Sequence, residues 1–385
     1  MYRGMTRQLL STLSPLALFI ASCGPSVAGD SPPAAPAETA ATFTITEIAR
    51  FNEPWAMTFL PGGKEALVTE KSGQLKLWDG AAVLTVAGAP AVAYAGQGGL
   101  GDVILSPDFD KTGMVYLSWV EAGEGDTRGA AVGRAKLVRG DAPRLEGLEV
   151  IWRQAPKVTG RGHYSHRLTF SPDGQYLFVA SGDRQKLAPA QDMDTNLGKV
   201  LRLLPDGKPA PGNPFADKGG VNAEIWSLGH RNILGLAFDT KGQLWDLEHG
   251  PAGGDELNLV KPAQNYGWPL VSEGDHYDGK VIPRPDTRPD LAKAALGWTP
   301  VIAPGNMIFY TGKMFADWRG QALIAGLAKN TGVVRVAIEG ETAREVARHP
   351  MDKRIREIEQ APDGAIWLLE DGKDARMLRL SKPKG

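Results

Sequence analysis

One local pattern returns six times along the chain: a turn, then an alternating aliphatic or aromatic run, then an acidic or glycine-rich loop. The copies are LPGGKEALVTEKSGQLKLWDG, SPDFDKTGMVYLSW, SPDGQYLFVASGDR, DTKGQLWDLEHG, DWRGQALIAGL and APDGAIWLLEDG. Their spacing is irregular, roughly 45 to 80 residues, and self-similarity on that scale in a strand-rich chain is the mark of a β-propeller. The expected fold is therefore all-β: a six-bladed β-propeller of four-stranded antiparallel blades over residues 42–385, with about 57 residues per blade. A large β-sandwich with coincidental Pro-Asp-Gly turns is the competing arrangement. The propeller has the sharper functional consequence, because loops from every blade converge on a central channel.

Composition agrees with many short strands and tight turns, since 47 glycines and 28 prolines are hard to reconcile with long helices. A formal net charge of −1, with no basic run carrying interleaved aromatics, argues against nucleic acid as a partner. The first residues, MYRGMTRQLLSTLSPLALFIASCG, place Arg3 and Arg7 ahead of an apolar run from Leu9 to Ile20 that is short for a membrane span. Residues 1–22 read as a secretory signal whose end, Ile20-Ala21-Ser22-Cys23, resembles a bacterial lipobox. Cys23 is the sole cysteine. Residues 23–41 are rich in Pro, Ala and Ser and read as a flexible, lipid-anchored tether. The expected location is the periplasmic side of a bacterial membrane, the outer one by preference. A plain signal peptide cut elsewhere is the competing reading.

Four segments concentrate groups that can do chemistry. GRGHYSHRL carries His163, His166 and Arg167, and GHRNILG carries His230, Arg231 and Asn232. In RIREI, Arg354 and Arg356 stand two apart on a strand-like segment and so share a face. Two adjacent guanidiniums repel unless an anion lies between them, and planar oxyanions suit their forked donors. The plain alternative is a pair of solvated surface arginines. In EHGPAGGDELNLVKPAQNYGWP, inward-turned carbonyls at Gly250 and Pro251, with Asp255 and Glu256 nearby, offer the hard oxygens that calcium prefers. The same loop also reads simply as a turn.

Taken together, AGQGGLGDVILSPDF, GHYSHRLTFSPDG, EIWSLGHRNILGLAFD, EHGPAGGDELN, NYGWP and RIREI resemble, in order, the soluble glucose and aldose sugar dehydrogenases that depend on pyrroloquinoline quinone (PQQ). The resemblance runs from about Phe43 to Leu380 and is closer to the aldose branch. It implies that His163, of the H-aromatic-x-x-R-L motif, is the general base that deprotonates the C1 hydroxyl of an aldose while hydride passes to the quinone. It further implies that Gln97, Arg231, Asn232, Lys329, Arg354 and Arg356 contact PQQ. One calcium is expected on the main-chain oxygens of Gly250 and Pro251, and a second, structural one at Glu256 and the main-chain oxygen of Tyr266.

The chain also departs from the family pattern. Gly162 stands where the glucose branch has an acidic residue, and His166, expected at the pocket rim and partly exposed, replaces a small one. In AGLAKN, Ala328 occupies the family's lysine position and Lys329 follows one step later, so a one-residue bulge is needed to restore its aim. No C-x-x-C-H motif is present, so electrons must leave to an external acceptor, a cytochrome or a membrane quinone. A calcium-dependent lactone hydrolase and a noncatalytic glycan- or protein-binding propeller are the alternatives.

Overall fold

The structure, a computed structural model, describes residues 43–383. The signal segment, Cys23 and the tether lie outside the described residues, as do Thr42 and the last two residues of the expected domain.

Six antiparallel sheets make up the described chain. Their first strands are Pro54–Phe59, Leu100–Leu105, Ser165–Phe170, Ile233–Phe238, Pro304–Phe309 and Ile355–Gln360. These strands touch in succession, and the last touches the first, so they line a closed ring. Each sheet then steps outward strand by strand, which is the expected six-bladed propeller. Blade two departs from four strands, because Val158–Thr159 adds a short fifth beside Thr127–Val138. Blade six is completed by both chain ends: Thr44–Phe51 pairs with Ala375–Ser381, from Thr44 opposite Ser381 to Phe51 opposite Ala375.

All six repeated segments fall at the same place, the turn from first to second strand and the second strand itself. Those second strands include ALVTE, LFVAS and IWLLE, buried at every residue. Burial on both faces follows from the packing, since six apolar clusters each join two neighbouring blades. Met307, Phe309 and Ile324 of blade five meet Trp245, Leu247 and Leu257 of blade four, and Trp367 and Leu369 of blade six meet Met57 and Val68 of blade one. Each such Leu, Ile or Phe contributes roughly 1.5–3 kcal/mol relative to exposure. The ring is thus held by side chains between blades and by backbone pairing within them.

Every first strand also carries an irregularity at its start. The register shifts between Pro54 and Ala56, Leu100 and Val103, Ser165 and Leu168, Ile233 and Gly235, Pro304 and Asn306, and Ile355 and Glu357. A bulge leaves a residue out of the ladder and re-aims its side chain. Here the bulges stand at one end of the channel in all six blades.

Candidate active site

Bulged residues Trp55, His166, Leu234 and Arg356 line an axial cavity of about 190 Å³ at that end. Connecting loops complete the lining with Lys71, Gln97, Asn232, His249, Leu327 and Arg354. A smaller cavity of about 20 Å³ adjoins through His249 and is lined by Arg231, Glu248, Gly250, Pro251, Glu256 and Tyr266. The structure thus brings Gln97, Asn232, Arg354 and Arg356 to one cavity and Arg231 with all four expected calcium residues to its neighbour. Lys329 is exposed on the loop after strand Ala322–Gly326 and is absent from the lining of either.

His163 sits in a strained segment: His163, Ser165 and His166 have φ of 50°, 57° and 58°. The facing residues Arg184, Gln185 and Leu187 are also left-handed, at 57°, 59° and 63°. Each costs of order 1 kcal/mol or more and persists because the surroundings hold it. Those surroundings are specific. The Nδ1 of His163 lies 2.7 Å from Oδ1 of Asp183, whose Oδ2 accepts the Trp268 indole N–H at 2.7 Å. The backbone N–H of His163 donates to Oε1 of Gln97 at 2.6 Å. Burial alone would raise the Asp183 pKa, but the bonds from His163 and Trp268 hold it below the ordinary value. Its carboxylate therefore accepts the Nδ1 proton and leaves Nε2 with a free lone pair. Burial lowers the His163 pKa, the bond to Asp183 offsets part of this, and Arg231 lowers it further. The ring is oriented and neutral at neutral pH, able to accept a proton at Nε2, and Asp183, which the sequence reading missed, holds it in that orientation.

His166 is not the partly exposed rim residue expected: it is 2% exposed. Its ring stacks on Trp55 at 4.9 Å, and Nδ1 lies 2.7 Å from Ser118 Oγ. Burial drives its pKa down to about 3, so it stays neutral. Arg167 closes the channel beneath. Its guanidinium donates to Leu234 O at 2.7 Å, Gly305 O at 3.0 Å, Glu357 Oε2 at 2.7 Å and Asp102 Oδ1 at 3.3 Å.

Arg354 and Arg356 do share a face, but the anion between them is a protein group. Nε and Nη2 of Arg356 donate to Asp371 Oδ1 at 3.0 and 2.8 Å, and Arg354 Nη2 lies 3.3 Å from Oδ2. Arg231 has no such partner. It is 5% exposed, its Nη1 donates to His249 O at 3.0 Å, its Nε is buried without an acceptor, and among the described residues no carboxylate lies within ion-pair distance. A buried charge left unpaired is costly and marks a place for an anion.

Asp255, first read as a calcium ligand, is already used: its carboxylate accepts the N–H groups of Gly250 at 2.9 Å and Ala303 at 2.7 Å. It fastens the Gly250–Pro251 turn. Glu256 is different, standing directly opposite Glu248 in the strand ladder. Like charges placed so destabilise a sheet. Burial and the Glu248 charge push the Glu256 pKa up to about 8. A divalent cation in the shared cavity would relieve this pair at Glu256, so the residues fit calcium; Glu248 is itself engaged, its Oε2 accepting the Arg231 backbone N–H at 2.6 Å and its Oε1 the Asn258 amide at 3.2 Å.

The fold and the comparisons together define a propeller oxidoreductase of the quinoprotein sugar dehydrogenase type. Residues 51–379 match the Glucose / Sorbosone dehydrogenase family, and the chain belongs to it. The chain is 36% identical over 339 residues to aldose sugar dehydrogenase YliI of Escherichia coli K12, covering 86% of this chain and 91% of that protein. The crystal structure of the soluble E. coli aldose sugar dehydrogenase in its apo-form superposes with a TM-score of 0.83 at 34% identity, covering 89% of this chain and all of that one, 100%. The PQQ-bound aldose sugar dehydrogenase of Streptomyces coelicolor gives 0.72 at 26% identity, covering 90% and 99%.

Proposed function

We propose that this chain oxidises aldose sugars at C1 to lactones, with PQQ and calcium as cofactors and His163 as the general base. The observation that carries this reading is the buried, unpaired guanidinium of Arg231 beside a neutral histidine with an open Nε2. When bound, PQQ supplies a two-electron acceptor for hydride and calcium polarises its quinone. The chain's residues do the rest. His163 takes the C1 hydroxyl proton at Nε2 while Asp183 steadies the imidazolium that results. Arg231, Arg354, Arg356 and Asn232 would hold the cofactor, and the main-chain oxygens of Gly250 and Pro251 would hold its calcium. A second calcium would lie at Glu256 and Tyr266. Loss of the hydride from C1 and of the proton from its hydroxyl oxygen balances the conversion of the hemiacetal to a lactone.

The PQQ-bound Streptomyces relative and the sugar dehydrogenase from E. coli support the cofactor and substrate class. Against a calcium-dependent lactone hydrolase stands the axial lining, which has three cationic side chains and no carboxylate. A cytochrome or membrane quinone would reoxidise the enzyme, and lipid anchoring at Cys23 would keep it on the periplasmic side.

Adding PQQ and calcium to the purified apo-protein, then following quinone absorbance and dye reduction with a panel of aldoses, tests the proposal. Uptake followed by sugar-dependent bleaching supports it. A protein that neither takes up PQQ nor reduces dye is not this enzyme.

A further inference from the structure

The family resemblance asks for a lysine against the cofactor, and the segment expected to supply it does not reach. Strand Ala322–Gly326 pairs with Gly332–Glu339 in unbroken register, so the bulge needed to re-aim Lys329 is missing from that hairpin. The N–H of Leu327 donates to Ala303 O at 2.7 Å and that of Ala328 to Ile302 O at 3.0 Å. This places Leu327 in the cavity lining and leaves Lys329 exposed.

Another lysine lines the same cavity. Lys71 lies in the turn between Ala66–Glu70 and Gln74–Trp78 of blade one, and its backbone is fastened on both sides. Its N–H donates to Glu53 O at 3.0 Å, and its carbonyl accepts the N–H of Leu100 at 3.1 Å. Gly99, at φ +150°, permits this approach, since a Cβ there would stand 2.1 Å from the Lys71 oxygen. The ammonium donates to Gly96 O at 3.1 Å, one residue from Gln97. Lys71 also adds to the positive field on Asp371, the carboxylate already engaged by Arg354 and Arg356. Three cations thus share one anion, and two positive charges face the cavity without compensation.

We propose that Lys71, on the blade-one turn, is the lysine that pairs with a carboxylate of the cofactor, in place of Lys329. This rests on the PQQ reading above. Lys71 is half-buried, so its side chain can be changed with little risk to folding.

The test is titration of calcium-loaded apo-protein with PQQ, followed by quinone absorbance at several salt concentrations, for the wild type and for Lys71→Gln, Lys71→Arg and Lys329→Gln. Losing one charge-assisted contact should weaken uptake about ten- to a hundredfold in Lys71→Gln and make its salt dependence shallower. Lys71→Arg should recover most of the loss, and Lys329→Gln should bind within about twofold of wild type. Wild-type affinity in Lys71→Gln, or an equal loss in Lys329→Gln, would overturn the assignment. Absence of PQQ uptake by the wild type itself would instead remove the cofactor reading on which the assignment stands.

Discussion

The two ends of the axial channel are built from the same six strands and differ in nearly every other respect. At the end where those strands begin, bulges break the ladder, connecting loops close in, and Lys71, Arg354 and Arg356 line the cavity. At the end where they finish, the ladder is regular, the repeated turns follow, and a wider cavity of about 520 Å³ is lined by Asp102, Asp239 and Glu359 among apolar residues. Arg167 and its partners Asp102 and Glu357 stand between the two. The regular end makes the ring, and the irregular end gathers the ionisable groups of the candidate site. A propeller acquires a site where its repetition is interrupted.

The largest expected effect at the irregular end is that of His163→Gln. Turnover per bound cofactor should fall about 10²- to 10⁴-fold, the usual contribution of a general base, with PQQ uptake little changed. Loss of uptake with normal turnover per bound cofactor would move His163 from chemistry to binding. Replacing the divider comes next. Arg167→Met strips Asp102 and Glu357 of their cation, and breaking a buried pair in this way costs about 3–5 kcal/mol, readable as a lowered urea midpoint. An unchanged midpoint would show that the pairing of Arg167 with Asp102 and Glu357 adds nothing to stability.

Asp183→Asn should lower kcat by about tenfold or more and also move its pH dependence. The base works when neutral, so activity rises with pH through the His163 pKa, which already lies below the ordinary value. Asp183 pulls that pKa up, so without its charge the acid limb should shift to still lower pH. A shift to higher pH contradicts this. The smallest effect belongs to the regular end. Burial, with Glu357 and Asp102 nearby, holds the Glu359 pKa well above the usual range. A carboxyl raised on folding lends stability below its unfolded pKa that is lost as pH rises toward the folded one. Glu359→Gln should therefore melt above the wild type at pH about 8, match it near pH about 4, and leave sugar turnover and cofactor uptake alone. A clear change in turnover would make the far cavity part of the site.

The same contrast explains what could be read from the chain. The turn from first to second strand repeats in residue type because it repeats in geometry, so SPDG, DTKG and APDG announce six blades. The bulged positions share a geometry with no common side chain: Trp55, Gly101, His166, Leu234, Gly305 and Arg356 do not resemble one another. Backbone irregularity of this kind leaves no compositional trace. His163 and the GHRN segment stood out because ionisable groups cluster next to glycine there, and RIREI because two arginines two apart share a face. Asp183 and Asp371 act across 20 and 15 residues of sequence, and only the folded ring shows their partners. Lys71 sits in Lys-Ser-Gly, which reads as an ordinary surface turn until Gly99 draws it against the channel.

The pairing of Thr44–Phe51 with Ala375–Ser381 has a consequence in time. Both partners of this seam are needed to finish blade six, and Ala375–Ser381 follows every other described strand in chain order. Contacts this distant in sequence are the slowest to form. Until Ala375–Ser381 has been made the wheel stays open, and truncation before that strand would release Thr44–Phe51 as surely as cutting it away.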